Sequence, residues 1–179
     1  QQLLDVSRFE AGGGRLEIKD VELKPFLEEL ASAFEPLAVQ NEIDFGVHLE
    51  TDLPPALKCD ADRLNEVLGN LLSNAFKFTP RNGRIRLRAG TTDGGVGIAV
   101  SDTGVGVPPD KLPRIFEKFF QVDNDVQPRS VGSGLGLAIS REIVEAHGGT
   151  ISAESRVGKG TTIRVFLPRE PPVHEASES

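Results

Sequence analysis

The chain has 179 residues, 38% of them hydrophobic and 26% charged, with 27 acidic against 20 basic side chains and a net charge of −7. That length suits one domain able to bury roughly 70% of the unfolded chain's surface, and the acidic balance without a basic cluster excludes nucleic acid as a partner. A single cysteine, Cys59, excludes an intramolecular disulfide or a cysteine-rich metal site and points to a reducing, cytoplasmic setting. No run approaches the ~20 apolar residues that span a bilayer, so no membrane contact is expected of this chain.

In chain order, Leu3, Leu4, Val6 and Phe9 before a run of three glycines predict the tail of a helix over 1–14. A strand follows over 15–23, with Leu16, Ile18 and Val21 marking its buried side. Phe26, Leu27, Leu30, Ala33, Phe34 and Leu37 recur at helical spacing and predict a helix from Lys24 to Asn41, which Pro36 kinks or ends early. Ile43, Phe45, Val47 and Leu49 alternate with Asp44, His48 and Glu50, the pattern of a half-buried strand, and 51–60 reads as a turn-rich connection. A second helix begins near Asp60 or Asp62, either of which can cap it, and runs to Phe78 before Thr79, Pro80 and the Asn82-Gly83 turn. Two strands, 84–90 and 96–102, form a hairpin around TTDGG.

From Thr103 to Gly134 the chain is rich in Gly, Pro and Asp, a length of loop that is usually functional or mobile. It holds one short apolar signal at Leu112, Ile115, Phe116, Phe119 and Phe120, whose phenylalanines read as core. A third helix over 135–148 and strands 150–155 and 161–168 complete the fold, and 169–179 reads as a disordered tail. This order predicts an α/β two-layer sandwich, a mixed sheet with helices on one face.

Four segments carry chemistry. On the second helix Leu64, Val67, Leu68, Leu71, Leu72, Ala75 and Phe78 form one broad face, and Asn70, Asn74 and Lys77 form a separate polar stripe, within about 60° of each other. Asparagine is a weak helix former, and two in mid-helix beside a lysine suggest a use other than solvation. A carboxamide oxygen suits Mg²⁺, and Lys77 suits a phosphate. Asp102 ends a strand where it can accept from an exocyclic amine, and Gly104 and Gly106 let a flat base approach the backbone. Gly132, Gly134 and Gly136 precede a helix whose free amides form an anion site, yet they do not make the dinucleotide fingerprint, and no GxxxxGK[ST] loop occurs. The GKGT segment at 158–161 reads equally well as a plain hairpin turn. His48 lies on the polar face of a strand, His147 near a helix C-terminus where a cation suits the dipole, and His174 in the tail; none has a neighbour that suggests catalysis.

In this order and spacing, NLLSNAFKFT (70–79), DTGVGVPP, IFEKFFQVD, GSGLGLAIS and GKGTTIRVFLP resemble the N, glycine and F boxes of the ATP-binding catalytic domain of bacterial sensor histidine kinases. The resemblance covers residues 1–168, with 1–14 similar to the end of the family's dimerisation hairpin and its linker and 15–168 to the catalytic domain. It implies a sheet backing three helices that binds ATP on its open side, under a mobile lid over 107–131. By carry-over Asn74 coordinates Mg²⁺ with Asn70 beside it, Lys77 contacts phosphate, and Arg129 in the lid approaches the γ-phosphate. Phe78 lies near the adenine, where many members carry Tyr; Asp102 takes the adenine amino group, with Gly104 and Gly106 shaping that end and Thr161 beside the base. Gly132, Gly134 and Gly136, followed by Leu137, receive the phosphates.

The family's accepting histidine lies upstream on a dimerisation helix, so the resemblance implies a chain that binds ATP without phosphorylating itself. Its expected partners are its own upstream dimerisation domain and the receiver domain of a response regulator, with this chain monomeric and its parent a homodimer. Related ATPases, such as the gyrase B subunit, mismatch-repair ATPases and heat-shock chaperones, carry a general-base Glu four residues before the metal-binding Asn, where this chain has Asn70. A conformational ATPase or a non-catalytic nucleotide-binding module stays open as an alternative.

Overall fold

In a computed structural model, the structure describes residues 16–118, 120 and 136–172. The expectations for 1–14 and for Phe119, Arg129, Gly132, Gly134 and His174 lie outside them.

The first strand, β1 (Lys19–Glu22), leads into α1 (Leu23–Ser32) and a short α2 (Glu35–Gln40). The helix foreseen over 24–41 is thus two helices. Pro36 is in the first turn of α2, where its fixed φ and missing N–H are tolerated, and the break falls just before it. Of the side foreseen as buried in the first strand, Val21 is half-buried and Ile18 is exposed, because β1 belongs to a two-stranded sheet at the margin. Its partner is β3 (Ala56–Cys59), antiparallel, within the stretch read as a connection. The edge strand β2 (Asp44–Leu49) lies between them in sequence.

The long helix α3 (Ala61–Phe78) starts where the sequence predicts. Asp60 is its N-cap, and one carboxylate oxygen accepts from the Arg63 amide at 3.2 Å, an arrangement worth about 1 kcal/mol. Leu64, Val67, Leu68, Leu71, Leu72 and Ala75 are buried as foreseen, but Phe76 replaces Phe78 as the buried ring. It stacks on Phe34 with centroids 5.7 Å apart and meets Phe45 edge-on at 5.6 Å.

The hairpin of β4 (Arg84–Thr92) and β5 (Gly95–Asp102) turns at Asp93-Gly94, tighter than foreseen, with Gly94 at φ +81°. A 3₁₀ turn at Leu112–Arg114 follows, then α4 (Gly136–Ala146) and the hairpin of β6 (Thr150–Arg156) and β7 (Gly160–Pro168). Leu112, Phe116 and Phe120 pack against the core, which bears out their reading.

The main sheet has five strands in the order β2-β4-β5-β7-β6, parallel between β2 and β4 and antiparallel elsewhere. Alternation assigns its faces. Ile85, Leu87 and Ala89 of β4, Val96, Ile98 and Val100 of β5, and Ile163, Val165 and Leu167 of β7 are buried in one core with α1, α3 and α4. Arg84, Arg86, Arg88, Ala99 and Arg164 face the other way. The predicted mixed α/β layers, with helices on one face, are what the structure has.

Candidate nucleotide site

The candidate residues gather at one end of the sheet, and strand parity decides the side. In β5 the even positions Val96, Ile98 and Val100 face the helices, and so does Asp102; in β7 the odd positions do, and so does Thr161. The site is therefore on the helix-bearing side. The open face, where the resemblance placed ATP, carries arginines instead.

Register brings Asp102 of β5 opposite Thr161 of β7. The Asp102 carboxylate is half-buried, and its Oδ1 accepts the amides of Gly104 at 2.8 Å and Thr161 at 3.3 Å. No described residue bonds its Oδ2. Burial pushes this carboxyl above the usual carboxylate range, and the two amides offset part of that effect.

Glycines allow the close approaches around it. A Cβ on Gly104 would strike the Phe78 carbonyl oxygen at the end of α3, and one on Gly160, at φ +125°, would strike the Asp102 carbonyl. The turns are also bonded together, with Val105 N–H on the Phe78 carbonyl at 3.2 Å and Gly158 N–H on the Val105 carbonyl at 2.8 Å. GKGT is thus more than a hairpin turn, since it is knitted to DTGVG and through it to α3.

Ser155 is a residue the sequence does not reveal. Its hydroxyl accepts from the Val107 amide at 2.7 Å, donates to the Gly160 carbonyl at 3.0 Å and lies 2.7 Å from the Thr161 hydroxyl. Only the β6–β7 register, which sets Ser155 opposite Thr161, brings it there.

Across from this end, α3 presents Asn70, Asn74, Lys77 and Phe78, all half-buried. Asn70 Nδ2 donates to the Gly136 carbonyl at 3.3 Å, which ties α3 to the start of α4. The Asn74 carboxamide has no partner among the described residues. Leu137 packs against the core, so the part it plays here is apolar. Gly106, at φ +77°, would meet the Arg156 carbonyl with any Cβ and belongs to the wall formed by β6.

The histidines lie elsewhere. His48 is on the open face, 3.3 Å from Glu50, and His147 is buried, with both ring nitrogens engaged by Asp60 and Ile143. The expectation of a cation at His147 does not hold: its Nε2 accepts an amide hydrogen, so Nδ1 carries the ring's single proton. No group of three or more His, Cys, Asp or Glu side chains that could hold a metal occurs among the described residues.

The pattern of the histidine kinase-, DNA gyrase B- and HSP90-like ATPases matches residues 59–171. The chain is 36% identical to the circadian input-output histidine kinase CikA of Synechococcus elongatus, over 94% of this chain and 22% of that protein. It is 41% identical to the histidine protein kinase DivJ of Caulobacter vibrioides, over 93% of this chain and 28% of that one. The chain thus spans less than a third of the length of these relatives. Among solved structures, full-length ShkA in complex with AMPPNP superposes with a TM-score of 0.83 at 33% identity, over 96% of this chain and 35% of ShkA. The catalytic domain of the histidine kinase ThkA superposes at 0.76 and 30% identity, over 87% of this chain and 98% of that domain. The chain belongs to the histidine kinase-, DNA gyrase B- and HSP90-like ATPase family, as an ATP-binding domain of the sensor histidine kinase type.

Proposed function

We propose that the chain binds Mg-ATP between α3 and the two glycine turns and donates the γ-phosphoryl group to a histidine on a dimerisation segment of its parent protein. One observation carries the reading: a carboxamide with no partner among the described residues, Asn74, shares the helix side of the sheet with a half-buried carboxylate, Asp102, whose Oδ2 no described residue bonds. The relatives' names and the AMPPNP complex of ShkA support it.

Asp102 accepts the adenine amino group at its open oxygen, with Gly104, Gly106 and Thr161 around the base and Phe78 beside it. Asn70 and Lys77 face the phosphates together with Gly132, Gly134 and the first residue of α4, Gly136, and Arg129 approaches the γ-phosphate. Mg²⁺ fits the donors present, a single neutral oxygen from Asn74 with no thiolate or imidazole nearby, because this ion keeps most of its positions for water and phosphate. When bound it supplies charge neutralisation on the phosphate oxygens.

In the transfer an imidazole nitrogen attacks the γ-phosphorus in line, the bond to the β-phosphate oxygen breaks, and ADP leaves. Neither described histidine is the acceptor, since one faces away from the site and the other is buried with both nitrogens committed. The Asn70 carboxamide holds the Gly136 carbonyl, whereas hydrolysis would need a base at this position. The parent, a cytoplasmic or cytoplasm-facing homodimer, then passes the phosphoryl group to a receiver-domain aspartate; the complex of ThkA with a response regulator supports that partner. No helix among the described residues is long and apolar enough to cross a membrane.

Calorimetric titration with AMPPNP, with Mg²⁺ and with chelator, tests the site. The wild-type chain should bind in a Mg²⁺-dependent way, and Asn74→Ala should lose at least about tenfold in affinity and most of the Mg²⁺ dependence. Unchanged Mg²⁺-dependent affinity in Asn74→Ala would remove the metal assignment.

A further inference from the structure

The helices α3 and α4 run antiparallel and are tied at two places. At one, Asn70 holds the Gly136 carbonyl where α4 begins. At the other, the Asp60 amide that opens α3 donates to His147 Nε2 at 3.1 Å, just past the end of α4, and His147 Nδ1–H donates to the Ile143 carbonyl at 2.8 Å. Asp60 and His147 are 7% and 2% exposed, so water cannot readily replace these bonds. The same aspartate spends Oδ1 on the Arg63 amide at 3.2 Å and Oδ2 on the Glu17 amide at 2.9 Å, ahead of β1.

The two ties are about 15 Å apart along α3, at about 1.5 Å per residue. A helix held at one contact can pivot or slide, and one held at two this far apart cannot without breaking a buried bond. Asn74 lies one turn beyond Asn70, so its place relative to the start of α4 depends on both.

We propose that the His147–Asp60 contact is a positioning centre for the nucleotide site. It fixes α4 against α3, and with them Gly136 against Asn74, and through the Glu17 amide it extends the same constraint to the segment preceding β1. The inference rests on the nucleotide reading above, and its test has arms that do not need nucleotide.

Two variants separate the bond from the volume. In His147→Gln the side-chain oxygen reaches the Nε2 position and keeps an acceptor for the Asp60 amide, whereas His147→Leu fills the space without one. Three readouts are taken at a temperature where circular dichroism shows folded chain: the Asn70 carboxamide resonance and the Glu17 amide exchange rate, both without nucleotide, and the affinity for Mg-AMPPNP. His147→Leu should shift the Asn70 resonance, speed Glu17 exchange by about tenfold and weaken AMPPNP by about tenfold. His147→Gln should stay within about threefold of wild type.

A folded His147→Leu chain with wild-type Asn70 resonance and Glu17 exchange would overturn the proposal. If the leucine variant does not fold, His147→Met serves, because its thioether is at most a weak acceptor for the Asp60 amide in a side chain that still fills the space. It should speed Glu17 exchange and move the Asn70 resonance, and an unmoved resonance would overturn the coupling. A wild-type chain without affinity for AMPPNP would sink the nucleotide reading, while the Asn70 and Glu17 signals would still decide this one.

Discussion

At Asp102, burial disfavours the charge that contact with an adenine amino group requires. The raised folded-state pKa means that Asp102 contributes stability at pH below its ordinary value of 3.8, and that this contribution is lost as pH rises through the folded value. Asp102→Asn keeps an oxygen for the Gly104 and Thr161 amides and removes the buried charge. It should therefore raise the melting temperature of the nucleotide-free chain at pH 7 while lowering AMPPNP affinity by at least about tenfold, since Nδ2 is a donor facing a donor. Nucleotide affinity of the wild type should likewise fall as pH drops toward the raised pKa, where a protonated Oδ2 stops accepting. Calorimetry and thermal melts read both, and a destabilised Asp102→Asn chain with intact affinity would contradict the role. Cys59 is a second buried acid. Burial and the neighbouring Asp60 push its thiol up to about 12, so at pH 8 an aromatic disulfide reagent should find it inert until denaturant unfolds the chain. Rapid labelling of native protein would contradict that placement.

Among the elements, the two glycines of the GKGT turn differ in what each position demands, although the segment reads as one Gly-rich loop. Gly160→Ala meets the Asp102 carbonyl at φ +125° and should cost about 3 kcal/mol or more in urea unfolding. Gly158→Ala faces open space at φ +80° and should cost only about 1–2 kcal/mol. Equal costs would mean that this turn is not packed against Asp102 as described. This difference is not visible in GKGT itself, because it arises from β5 lying across the turn. What was legible was local or periodic: the Asp60 cap, the Thr79-Pro80 stop, the alternation in β4, β5 and β7, and the polar stripe of α3. What was not legible depends on distant partners. The strand Ala56–Cys59 forms only against β1, Phe76 is buried because Phe34 and Phe45 come to it, and Ser155 meets Thr161 only through sheet register. His147 looked like a cation at a helix end because nothing nearby in sequence announces the Asp60 amide. The parity of β5 and β7, which can be counted in the sequence, puts Asp102 and Thr161 on the helix side of the sheet.

For the molecule as a whole, the proposed nucleotide place lies between the helices and the sheet end, and neither described histidine can accept its phosphate there. The open face, with Arg84, Arg86, Arg88 and Arg164 on a chain of net charge −7, is segregated from the site by the full thickness of the sheet. The chain spans 22% of CikA and 28% of DivJ, so in relatives of that size most of the protein lies outside the part matched here. On the proposed reading, the histidine that meets the γ-phosphate comes from outside the described residues. The most direct measurement incubates this chain with Mg²⁺, γ-labelled ATP and a separately supplied dimerisation segment from its parent. Acid-labile label is expected on that segment's histidine, and it should be lost when Asn74→Ala replaces the wild-type chain. Free phosphate released by this chain alone, or tight binding without any turnover in the presence of the segment, would contradict the proposed reading.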